Sequence, residues 1–77
     1  MREYLKKLRE EKGLNQQDMA DKIGISKQYY SLIENGERQK KMDITLVSAI
    51  ATICGVSVEK IIEFERAVHN AANTRTE

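Results

Sequence analysis

The stretch QQDMADKIGISKQYYSLIENG, residues 16–36, decides the fold, because its residue spacing describes two short helices meeting at a sharp turn. Met19, Ala20 and Ile23 form one apolar set and Ile25, Tyr30 and Ile33 a second; the spacing gathers each set on one helical face. Gly24 separates them and can take the positive backbone angle that a bend of about 90–120° between helices requires. The small side chain of Ala20 lets the second helix cross closely over the first, and Ser26 stands where it can cap the second helix.

The same punctuation recurs outward from this unit. Gly13, Gly24, Gly36 and Gly55 each follow an apolar-periodic segment, as residues that end helices do. Asn15, Ser26, Asp43 and Ser57 are the caps expected next. Each is bracketed by an apolar pair that fixes chain entry: Leu14 with Met19, Ile25 with Tyr30, Met42 with Val47, and Val56 with Ile61. The pattern predicts five helices over residues 2–12, 16–23, 27–35, 44–54 and 58 to about 70, and no strand. The absence of proline, the Leu5/Leu8 spacing and the stripe Val47, Ile50, Ala51, Cys54 agree with an all-α domain. Residues 1–69 are expected to form the domain; after Asn70 the sequence loses bulky apolar residues, so residues 70–77 read as a frayed tail.

A chain of 77 residues has room for one modest core and no separate ligand-binding domain. With 40% apolar and 32% charged residues, it is of the soluble globular type. No apolar run approaches the ~18 residues of a membrane span, and no secretory signal opens the sequence. A single cysteine suits a reducing cytoplasm. Cys54 lies on the apolar stripe of the fourth helix and reads as core; His69, alone near a polar C-terminus, reads as solvated. No carboxylate pair, metal-ligand cluster, nucleophile with a base, or glycine-rich phosphate loop can be assembled, so an enzyme is not expected, and no cofactor, metal or small-molecule ligand is implied.

The net charge of +1 is weak support for a nucleic-acid partner, but its distribution is uneven. Residues 1–41 carry ten basic and seven acidic groups, and residues 42–77 three and five. Arg38, Lys40 and Lys41 cluster just after the bihelical unit, where they suit either phosphate contacts or an ordinary solvated loop.

With these features in place, LREEKGLNQQDMADKIGISKQYYSLIENGER resembles the helix-turn-helix family of phage Cro and repressor proteins, often called the Xre family. The resemblance runs from Leu8 to about Ile62 and implies a compact five-helix, lambda-repressor-like domain. It also implies that Lys27 to Asn35 form a recognition helix lying in the major groove of double-stranded DNA. Lys27, Gln28, Tyr29 and Leu32 would then face base edges: glutamine can bond adenine bidentately, lysine can donate to guanine, and an aromatic edge can contact a thymine methyl. Gln16, Gln17, Asn35, Arg38, Lys40 and Lys41 would contact phosphates, Gln16 from the start of a helix, where amide and dipole both favour an anion.

Two positions depart from the family pattern. Leu32 replaces a residue that is often polar, leaving only apolar contact with thymine methyls. Tyr30 replaces the usual aliphatic, so its hydroxyl needs a partner. Arg9 and Glu34 match positions that form an ion pair between the first and third helices. Such proteins tend to bind as homodimers on inverted half-sites about one DNA turn apart. Ile61, Phe64, Val68 and Ala71 recur at steps of three and four, a stripe that suits either a partner or the domain's own core.

The function implied is a sequence-specific transcriptional regulator, a repressor on a palindromic operator, in a phage or mobile-element setting, an antitoxin or a restriction-modification controller. A protein-interaction module on the same scaffold is the alternative.

Overall fold

The computed structural model describes residues 1–39 and 41–74, the last five by backbone alone. Its elements are α1 (Glu3–Glu11), α2 (Gln16–Ile23), α3 (Lys27–Asn35), α4 (Ile44–Cys54) and α5 (Val58–Thr74), with no strand among the described residues. All four expected caps are made. Asn15 accepts the Asp18 amide at 2.8 Å while the Asp18 carboxylate accepts the Asn15 amide at 3.1 Å, closing a reciprocal capping box. Ser26, Asp43 and Ser57 accept the amides of Tyr29, Leu46 and Lys60 at 3.1, 2.8 and 3.1 Å.

Gly24 has φ +91°, and the amides of Gly24 and Ile25 both return to the Ala20 carbonyl, at 2.8 and 3.0 Å. This left-handed closure turns the chain from α2 into α3 within three residues, a conformation that an L side chain strains to adopt. Ala20 is fully buried at the crossing.

Three helix ends differ from the sequence expectation, α1 ending at Glu11, one residue early, because Lys12 is its C-cap. α1 starts at Glu3 because Arg2 is its N-cap, with no side-chain cap bond and its own amide donating to the Glu34 carbonyl at 2.9 Å. α5 runs on to Thr74 instead of ending near residue 70; Ala71 and Ala72 are good helix formers and carry it further. Residues 75–77 lie outside the described residues.

The core joins Leu5 of α1, Met19 and Ala20 of α2, and Tyr30 and Ile33 of α3 to Leu46, Val47, Ile50, Ala51 and Cys54 of α4 and Ile61 of α5. All four apolar bracketing pairs lie in or against it. Ile61 therefore corrects one expectation. Of the two roles its stripe suits, a partner or the domain's own core, it takes the core: it is 0% exposed in the first turn of α5, where that helix packs against α4, and so cannot face a second copy. Among the described residues no single helix is long and apolar enough to cross a membrane.

Candidate nucleic-acid interface

α3 turns Tyr30, Ile33 and Glu34 inward. Its opposite face carries Lys27, Gln28, Ser31 and Leu32, which line one shallow groove together with Gln16 from the start of α2. Lys27 and Gln28 are exposed, and Gln16, Ser31 and Leu32 are half-buried. The groove thus presents an ammonium, two carboxamides, a hydroxyl and one branched apolar side chain. That set matches the donors, acceptors and methyl groups on base edges. Ser31 was not anticipated, although its spacing of four from Lys27 puts it on the same face.

Gln16 is held from below. Its Nε2 donates to Glu34 Oε1 at 3.0 Å, and Glu34, 2% exposed, also accepts Arg9 Nε at 3.0 Å, Arg9 Nη2 at 3.3 Å and the Tyr30 hydroxyl at 2.8 Å. Arg9 Nη1 donates in addition to the Leu14 carbonyl at 2.9 Å. Burial alone would raise the Glu34 carboxyl, but hydrogen bonds from Arg9, Gln16 and Tyr30 outweigh it and hold the pKa below its ordinary value. The bond to Glu34 likewise raises the Arg9 pKa, and burial followed by the adjacent carboxylate raises that of Tyr30. An ionised, fully partnered cluster therefore ties α1, α2 and α3 beneath the groove.

Other sequence candidates lie elsewhere. Tyr29 does not enter this groove: it is half-buried against the core and lines a separate hollow with Ile23, Ile25 and Leu46, its hydroxyl accepting Gln39 Nε2 at 2.9 Å. Gln17 is exposed and donates to Asp21 Oδ1 at 2.8 Å. Asn35, Arg38 and Lys41 are exposed at and beyond the C-terminal end of α3. Lys40 lies outside the described residues.

A second buried charge network was missed at the sequence level. Arg2 is 2% exposed; its Nε donates to Glu65 Oε2 at 2.8 Å and its Nη1 to the Arg38 carbonyl at 3.2 Å. The Tyr4 hydroxyl also donates to Glu65 Oε2, and burial, reinforced by that carboxylate, raises the Tyr4 pKa. His69, expected in solvent, is half-buried with Nε2 3.6 Å from Glu65 Oε1. An arginine at the second residue and a glutamate among the charges of α5 both read as solvated groups in sequence, so nothing in their spacing announced the pair.

Along α5, Phe64 is half-buried, stacked on Tyr4 at 4.9 Å with the Lys60 ammonium 5.4 Å from its ring centre. Val68 is half-buried, and the side chain of Ala71 lies outside the described residues. Ile62, not anticipated, is 38% exposed and lines a hollow with Lys41, Met42 and Val47.

A family model described as helix-turn-helix matches residues 5–61. The uncharacterized HTH-type transcriptional regulator YqaE of Bacillus subtilis (strain 168) is 40% identical over 63 residues, 82% of this chain and 53% of that protein. The SPbeta prophage-derived uncharacterized HTH-type transcriptional regulator YonR of the same organism is 38% identical over 61 residues, covering 79% and 55%. YqaF, another uncharacterized HTH-type transcriptional regulator of that strain, is 42% identical over 45 residues, covering 58% and 59%. The chain thus spans a little over half the length of these relatives. No solved structure matches the chain significantly.

Proposed function

Because the chain belongs to the helix-turn-helix family, we propose that it binds double-stranded DNA sequence-specifically and regulates transcription, with α3 in the major groove. The observation that carries this reading is the single groove shared by Gln16, Lys27, Gln28, Ser31 and Leu32, on the face of α3 opposite the core. Gln28 and Lys27 read base edges, Ser31 adds a short hydroxyl, and Leu32 packs on thymine methyls. Gln16, anchored on Glu34 at the amino end of α2, meets a phosphate, and Gln17, Asn35, Arg38 and Lys41 supply further contacts to the sugar-phosphate backbone.

One recognition helix gives limited affinity, so the protein acts as a homodimer on an inverted repeat with half-sites about 34–36 Å apart. The half-buried Phe64 and Val68, four residues apart on one face of α5, supply apolar surface for the second copy. Occupying such an operator represses transcription by excluding polymerase. One relative is prophage-derived by name, which favours a mobile-element setting over an antitoxin or a restriction-modification controller.

Two variants test the assignment of roles. Gln28→Ala should weaken the preferred site by about 1–3 kcal/mol and leave random DNA nearly unchanged, whereas Lys41→Ala should weaken both and flatten the salt dependence by about one logarithmic unit. Uniform weakening by Gln28→Ala contradicts base reading.

A further inference from the structure

Gln39 has φ +52°, alone among the described non-glycine residues in the left-handed region. An L side chain reaches that region at a cost and stays there only where its surroundings over-determine it. Those surroundings are specific. The Gln39 carbonyl accepts Arg2 Nη2; its side-chain Nε2 donates to the Tyr29 hydroxyl at 2.9 Å, and its Oε1 accepts the Asp43 amide at 3.3 Å. Arg2 also holds the preceding carbonyl, that of Arg38, at 3.2 Å, and is itself fixed by Glu65 of α5. One residue therefore joins α3, the cap of α4 and, through Arg2, α5.

We propose that Gln39 is a positioning residue for DNA binding: clamped between Tyr29 and Arg2, it sets the backbone that presents Arg38 and Lys41 to phosphates. Arg2 is buried and touches no DNA; it acts through the carbonyls it holds. Tyr29 acts as a strut, since its hydroxyl is committed to Gln39 and its ring packs against the core outside the base-facing groove. The inference rests on the DNA-binding reading above and extends it to residues outside the α3 groove.

The test uses Gln39→Gly and Tyr29→Phe in the full chain. Glycine takes the left-handed backbone freely and keeps the carbonyl that Arg2 holds, so Gln39→Gly removes the side-chain half of the clamp, the bonds to Tyr29 and the Asp43 amide, without a folding defect, which thermal denaturation checks. Affinity is read by fluorescence anisotropy on the preferred site and on random-sequence DNA over a range of salt. Both variants should lose about 5- to 30-fold on both DNAs near ~0.15 M salt, with a slope lower by one to two units, the signature of one or two lost phosphate contacts. With Arg38→Ala and Lys41→Ala already present, adding Gln39→Gly should change affinity by less than about twofold, which a merely structural role does not predict. An unchanged slope for Gln39→Gly overturns the inference. So does a Tyr29→Phe loss confined to one base pair, which returns Tyr29 to base reading. If the unaltered chain binds neither DNA, the DNA-binding reading itself falls and this inference falls with it.

Discussion

Replacing Glu34 by alanine removes the acceptor of four hydrogen bonds, two from Arg9 and one each from Gln16 and Tyr30, at a site 2% exposed. The loss is dominated by Arg9, a buried residue whose guanidinium would lose its counter-charge. Removing one partner of a buried ion pair costs about 3–5 kcal/mol. Arg9 keeps the Leu14 carbonyl at 2.9 Å, and the half-buried Gln16 can turn to water, so the lower end, about 3 kcal/mol, is expected. A domain of this size has only about 4–12 kcal/mol in total. The thermal midpoint should therefore fall by about 12–24 °C. Circular dichroism during heating and during urea titration reads both quantities. Arg9→Met combined with Glu34→Leu should cost less than the two single losses added together, because neither charge is then stranded. A loss below about 1 kcal/mol for Glu34→Ala, the range of exposed pairs, would refute the burial argument.

The pH dependence follows from the same cluster. Because the folded-state pKa of Glu34 lies below its ordinary 4.5, its stabilisation is present above that value and is lost as pH falls through the folded pKa, so the urea midpoint should drop below pH 4.5 more steeply than in Glu34→Gln. Tyr4 and Tyr30 are raised above their ordinary 10.0, so they stabilise the fold below that pH and the contribution is lost as pH rises past it; ultraviolet titration should show both neutral until the chain unfolds. Burial raises the Cys54 thiol as well, and Cys54 is 4% exposed, so a thiol reagent should label it only as fast as the fold opens and at once in denaturant; immediate labelling of native protein contradicts its place in the core.

Local chemistry made most of the fold legible. Caps, helix-ending glycines and apolar brackets depend on neighbours within a few residues, so Asn15, Gly24, Ser26 and their counterparts could be read directly and located the α2–α3 turn. The outward face of α3 was named through the resemblance to Cro and repressor proteins, which pointed to Lys27, Gln28 and Leu32, and these three line one groove with Gln16. What escaped depends on distant partners. Arg2 and Glu65 are 63 residues apart, and each alone is an ordinary surface charge in sequence. Ile61 shares its periodicity with a stripe that could face either way, and only the packing of α5 on α4 sends it inward. Tyr29 sits between the core and groove faces of its helix, and the segment after α3 decides where its hydroxyl goes.

On the proposed function, this groove reads a DNA sequence twice, once per copy of the chain. Selection of binding sites from random double-stranded DNA with the purified protein, at near-physiological salt, tests it most directly. The enriched pool should contain an inverted repeat with half-site centres about 10 base pairs apart, matching two recognition helices in successive major grooves. A pool with no enriched sequence would contradict sequence-specific binding, and an enriched single half-site without its inverted partner would contradict the dimer.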